Sequence, residues 1–127
     1  GAPPTPLVAD LQDEQEIARV GRQITREFGV VHVLVHSAGA ITLGAFSELP
    51  LSALDEQYRV NVRGPFQLTQ LLLPLVKAVR GQIVFVNSSA GLIARAGVSS
   101  MARRSTPLGC RRTLSLRSRV REGRTWD

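Results

Sequence analysis

Val30-Val31-His32-Val33-Leu34-Val35, followed at once by His36-Ser37-Ala38-Gly39-Ala40, is the stretch on which the fold turns. Its first part is β-branched and mostly apolar, without the polar alternation of a strand that has one face in water. Such a run suits a strand buried on both faces of a parallel sheet. The small residues after it turn the chain. Parallel neighbours cannot be joined by a hairpin and need a crossover, usually a helix, so the flanks should read as helices.

They do. Upstream, Leu7-Val8-Ala9 is a short apolar run ending at Asp10, and Gln12–Phe28 carries Ile17, Val20, Ile24 and Phe28 at steps of three and four. That spacing predicts an amphipathic helix stopped by Gly29. Downstream, Leu51–Val79 reads as helix, with a joint at Gly64-Pro65 and a further disturbance at Pro74. Gly81 stops it. Gln82-Ile83-Val84-Phe85-Val86 then makes a second buried strand that runs into the small residues Asn87–Gly91. Strand, helix, strand, helix, strand is an α/β order with right-handed parallel crossovers. No internal repeat is present.

Charge divides the chain in two. Its 127 residues suit one domain, and the formal net charge is +6. Residues 1–100 carry eight basic and eight acidic side chains, so the whole excess lies in residues 101–127, with eight arginines against Glu122 and Asp127. After about Ser99 the apolar residues lose their period. The organisation expected is a folded part over 1–98 and a basic tail over 99–127 without a face to bury. Gly1–Pro6 lacks the pattern of a secretory signal, and Leu71–Val76, broken by Pro74, is too short to span a bilayer. Cys110 is alone, so neither an intrachain disulfide nor a cysteine-cluster metal site is expected. A cytoplasmic protein without membrane association is the expectation.

In a parallel sheet, ligands bind beyond the carboxyl ends of the strands. Three polar clusters follow predicted strands at that edge: Asp10, His36-Ser37-Ala38-Gly39, and Asn87-Ser88-Ser89-Ala90-Gly91. Each alone reads as an ordinary strand-to-helix turn. Together with Asn61-Val62-Arg63-Gly64, their order and spacing resemble the short-chain dehydrogenase/reductase family, over about Leu7 to Val98. The resemblance implies a partial Rossmann-like, doubly wound parallel sheet, a three-layer αβα remnant, with an irregular C-terminal tail.

It also implies roles. Asp10 corresponds to the family aspartate that hydrogen-bonds the adenine edge of the cofactor; the competing reading is a helix cap, since Asp10 and Asp13 both precede an amphipathic run. His36-Ser37-Ala38-Gly39 matches the family's Asn-Asn-Ala-Gly turn only at Ala38 and Gly39, where small residues admit the cofactor. His36 is read as a turn residue and His32 as a structural strand residue. Asn61 corresponds to the family asparagine that holds a water in a proton relay, and its unfavourable place inside a helix favours a purpose. Ser88, chosen over Ser89 by aligning Ala90-Gly91-Leu92, corresponds to the serine that orients the substrate carbonyl or hydroxyl. Tyr58 is read as a packing or capping residue.

Two family parts have no counterpart. The glycine-rich phosphate loop would precede Leu7, and in a 3-2-1-4-5 strand order the Leu7 strand would be third and the Val30 strand fourth, with two strands between them. The Tyr-x-x-x-Lys pair would begin thirteen residues beyond Ser88, where Met101 and Ser105 stand instead. A one-base slip of the coding frame near Ser100 accounts for this: if the Ser100 codon ends in T, the shifted frame reads tyrosine across Met101, and free codon choices allow lysine four residues on. Residues from about 100 are then an out-of-frame translation.

The function implied is NAD- or NADP-dependent hydride transfer to or from a small-molecule carbonyl or alcohol, as in an intact relative, for which a homo-oligomer is one expected assembly. The chain as written is expected to be an inactive fragment that lacks most of the intact family's affinity for the cofactor, because the phosphate loop is missing. The alternative is a non-catalytic fragment that binds a protein partner or, through the arginines, a polyanion. Nucleic acid is the weaker partner, since the tail offers Trp126 as its one aromatic and no known module.

Overall fold

A computed structural model of the chain describes residues 3–87 and 113–115. The element order is β1 (Pro6–Val8), α1 (Glu14–Phe28), β2 (Val33–His36), α2 (Leu51–Tyr58), a π-helical turn (Arg59–Arg63), α3 (Gly64–Ala78), β3 (Gln82–Phe85) and β4 (Thr113–Ser115). α1 starts where its cap permits: the Asp13 carboxylate accepts from the backbone N–H of Gln15 at 2.7 Å and of Glu16 at 3.3 Å. It ends at Gly29, whose φ of 69° is the left-handed conformation that costs glycine little. The apolar period expected over Gln12–Phe28 is borne out in Ile17, Val20 and Ile24, all buried; Phe28 is 42% exposed.

β2 and β3 pair in parallel, with Leu34 opposite Ile83 and His36 opposite Phe85. The alternation of a strand puts these four residues on one face and Val33, Val35, Gln82 and Val84 on the other. α1 and α3 cover the first face. Leu34 joins Leu7, Ala9, Leu11, Ile17, Val20, Ile24, Val31, Leu68, Leu72, Leu75 and Val76 in one apolar core, with Ala38 and Ile83 against it. α1 and α3 meet closely at Gly21, where a Cβ would lie 2.9 Å from Leu71 Cδ1.

Several expectations change here. The strand expected at Val30–Val35 is Val33–His36, because Val31 spends its N–H on the α3 carbonyl of Leu75 (3.3 Å) before the ladder begins. His36 is therefore a strand residue, and His32 lies just before the strand. Burial on both faces is not observed: Val35 is 45%, Val84 40% and Val86 60% exposed, since among the described residues no helix covers that face. The Leu7 strand stands apart from β2, as the 3-2-1-4-5 order implies, but it pairs antiparallel with β4, Leu7 opposite Leu114, which was not expected. Three residues of the arginine-rich segment thus form a strand that its lost periodicity does not announce.

The helix joint falls in the π-helical turn just before Gly64, and α3 continues through Pro74. Glycine is required at 64 for a steric reason. A Cβ there would stand 2.7 Å from the carbonyl oxygen of Leu11, so the backbones before α1 and at the start of α3 touch. The Glu14–Arg63 ion pair and the Gln67 amide, donating to the Glu14 carbonyl at 3.0 Å, close the same junction.

Candidate functional site

The site begins where β2 ends. After His36 the chain passes through Ser37, Ala38 and Gly39 to Ala40, and Asn61 meets it from the π-helical turn. The Ala40 N–H donates to Asn61 Oδ1 at 2.6 Å, and Asn61 Nδ2 donates to the Ala40 carbonyl at 2.8 Å. One side-chain amide thus satisfies both backbone groups of one loop residue, the pairing a neighbouring strand would provide. The extra residue of a π-helical turn resets the helix face, and Asn61 sits within it.

Gly39 lies beside this clamp. A Cβ there would meet only Asn61 Oδ1, at 3.5 Å, an ordinary contact, and its φ is not positive. Among the described residues no neighbour therefore demands glycine at 39. Glycine in that position fits an external group approaching the backbone.

His36 anchors the strand end from beneath. The residue is 8% exposed, its Nε2 is 2.8 Å from the Thr69 hydroxyl on α3, and its ring stacks on Phe85 with ring centroids 4.8 Å apart. Burial pushes its imidazole below the ordinary value. Its carbonyl accepts from Val86 N–H at 2.8 Å, extending the β2–β3 pairing. Sequence reading missed this arrangement; the spacing of Asn61 and Thr69, eight residues or about two helical turns apart, is the signal that points to it.

Asp10 stands apart. Its carboxylate accepts from Gln12 N–H at 2.9 Å, its own N–H donates to Glu16 Oε2 at 2.7 Å, and its carbonyl accepts from Asp13 N–H at 3.1 Å. The cap of α1 is Asp13, so Asp10 shapes the turn after β1. Of the five candidate residues, Ala38, Gly39 and Asn61 converge, Asp10 lies at the end of β1 without a hydrogen bond to them, and Ser88 lies outside the described residues. Met101 and Ser105 lie outside them as well. Tyr58, read as a packing or capping residue, ends α2 at the start of the π-helical turn; it is 51% exposed and makes no side-chain cap hydrogen bond. Among the described residues no cluster of His, Cys, Asp and Glu is arranged to hold a metal ion, and no helix is long and apolar enough to cross a membrane.

Comparison with known proteins gives one answer. The family model described as short chain dehydrogenase matches residues 2–102. Epidermal retinol dehydrogenase 2 of Mus musculus is 31% identical over 91 residues, which is 71% of this chain and 29% of that protein. Sepiapterin reductase of Chlorobaculum tepidum is 33% identical over 91 residues, 71% of this chain and 37% of that protein. Among solved structures, a short-chain dehydrogenase from Streptomyces avermitilis superposes with a TM-score of 0.67 at 32% identity, covering 73% of this chain and 35% of that one. A 7α-hydroxysteroid dehydrogenase complexed with NADH and 7-oxo glycochenodeoxycholic acid superposes with a TM-score of 0.66 at 26% identity, covering 73% of this chain and 36% of that one. The chain spans between 18% and 40% of the length of such curated relatives.

Proposed function

The chain belongs to the short-chain dehydrogenase family, and on that premise we propose that it is the middle segment of an NAD(P)-dependent oxidoreductase acting on a small carbonyl or alcohol. The observation that carries this reading is the paired hydrogen bond between Asn61 and Ala40. It holds Ala38-Gly39 at the carboxyl edge of a parallel strand, where such sheets bind ligands, and among the described residues no neighbour demands the glycine at 39. The residues fit a dinucleotide: Ala38 and Gly39 would pass against it, and Asp10 would meet its adenine edge. Nicotinamide, when bound, supplies the hydride chemistry.

The chain's own part is positioning. Asn61 fixes the turn, and Ser88 would orient the substrate oxygen. The phosphate loop and the Tyr-x-x-x-Lys pair have no counterpart in this sequence. Positioned acid–base catalysis contributes about 10²–10⁴-fold, so the chain alone should show no measurable turnover, and a frame slip near Ser100 would account for Met101 and Ser105 at the positions of the pair. A Ser100 codon not ending in T would remove the frame-slip explanation.

The test is a graft. Residues 3–87 replace the matching segment of Chlorobaculum tepidum sepiapterin reductase, and hydride transfer is followed by NADPH and NADH absorbance. The graft should retain turnover and lose much of it on Asn61→Ala, while the 127-residue chain shows none. Turnover by the chain alone would refute its inactivity; a folded graft without cofactor binding would refute the cofactor role. A second reading, partner binding without catalysis, is favoured by the face of Val35, Val84 and Val86, which is uncovered among the described residues. Size-exclusion chromatography with and without an intact relative separates it.

A further inference from the structure

Two side chains of the helix running from α2 through α3 reach the end of β2. Asn61 holds Ala40, and Thr69 holds His36. The four residues from Ser37 to Ala40 are suspended between these ties. Only one tie contains a group that titrates near neutrality, and it departs from the family turn, which has asparagine where this chain has His36.

The surroundings of His36 suit a neutral ring. Thr69 offers an uncharged hydroxyl and Phe85 an aromatic face. β2 and β3 carry no other titratable side chain. On the helix packed above, the charged residues are Lys77, exposed and about two turns beyond Thr69, with Arg59 and Arg63 in the π-helical turn. Arg63 is engaged by Glu14. Asp55 and Glu56, on α2, are exposed. No described carboxylate lies within ion-pair distance of the ring to stabilise an imidazolium, and a buried cation without a counter-charge is costly.

We propose that His36 is a positioning residue: its neutral ring, bound to Thr69 and stacked on Phe85, fixes the end of β2, and its protonation in acid loosens the Ser37–Ala40 turn from Asn61. The inference deepens the cofactor reading given above only in calling that turn a cofactor site; the tie itself is independent of it. The chemical shifts of the turn should thus follow the charge of a residue just before it.

The experiment uses the full chain, isotope-labelled, followed by NMR from pH 8 to pH 5 without cofactor. The His36 ring should titrate below its ordinary value of about 6.5, and the amide signals of Ala38, Gly39 and Ala40 should move with the same midpoint. Protection of the Ala40 amide from hydrogen exchange should fall as the pH drops, by up to about tenfold per pH unit between the free and folded midpoints. His36→Asn, which keeps a hydrogen-bonding side chain and cannot titrate, should abolish the step. A ring that titrates at or above the ordinary value, turn amides that ignore it, or an unchanged step in His36→Asn would each overturn the proposal. Should that variant not fold, the titration of the unaltered chain decides alone. A failure here leaves the cofactor reading standing, whereas a linked step here together with a folded graft that binds no cofactor would sink only the cofactor reading.

Discussion

Asn61→Ala removes two hydrogen bonds at once, of 2.6 Å and 2.8 Å, from a half-buried loop residue. Net contributions of about 0.5–1.5 kcal/mol per bond give about 1–3 kcal/mol for the pair. Alanine returns about 0.5 kcal/mol through its better helix propensity, and water can reach Ala40 in part. The expected loss is therefore about 1–2 kcal/mol, which in a folded part of this size lowers Tm by roughly 5–15 °C. Urea denaturation followed by circular dichroism gives the equilibrium value, and exchange of the Ala40 amide locates it. Asn61→Asp separates the two bonds: it keeps the acceptor for Ala40 N–H but sets a carboxylate oxygen against the Ala40 carbonyl. Its cost should exceed that of alanine at neutral pH and shrink in acid as the carboxyl becomes a donor. Asn61→Ala within about 0.5 kcal/mol of the parent, the scatter of unimportant surface changes, with unaltered Ala40 exchange would refute the clamp.

Other perturbations probe the frame that places the turn. Gly64→Ala drives a methyl to 2.7 Å from the Leu11 carbonyl oxygen and should cost about 1–3 kcal/mol by urea denaturation, as overpacking does. Asp13→Ala removes the α1 cap and should cost about 1 kcal/mol, with asparagine restoring most of it. Leu72→Ala opens a hole at a fully buried core position and should lower stability by about 2–5 kcal/mol. Because burial holds the His36 imidazole below its ordinary value, the unfolded chain gains a proton first as the pH falls. Stability from this group is complete above about pH 6.5, declines below it, and levels off once the folded ring is also protonated; thermal melts across that window check the sign.

How much of this was legible depends on how local each cause is. α1 could be read because its core residues, its Asp13 cap and its Gly29 stop all lie within one segment, and they agree. Asn61 was legible as an anomaly, a polar residue badly placed for a helix, yet nothing local named Ala40 as its partner. The strand run was legible as apolar, but its edge was not, since Val31 is drawn off by Leu75, a residue far along the chain. Exposure of Val35 and Val84 escaped a reading by pattern alone, because a β-branched run states what a strand can bury and not whether anything covers it. The β1–β4 pairing joins segments more than a hundred residues apart, and backbone pairing of that kind leaves little periodic trace in a three-residue strand. His36 was misplaced by its neighbours: beside Ser37-Ala38-Gly39 it looks like part of a turn, while its partners Thr69 and Phe85 come from α3 and β3.

Titrating the labelled graft of residues 3–87 in Chlorobaculum tepidum sepiapterin reductase, whose host part supplies the phosphate loop, with NADH tests most directly whether Asn61 holds a cofactor turn at Ala38-Gly39. The account predicts that the amide signals of Ala38, Gly39 and Ala40 shift progressively and that Asn61→Ala weakens the response while the core signals of Leu34 and Leu72 stay in place. Signals at 38–40 that do not move, with NADH-induced shifts confined to other parts of the chain, would contradict it.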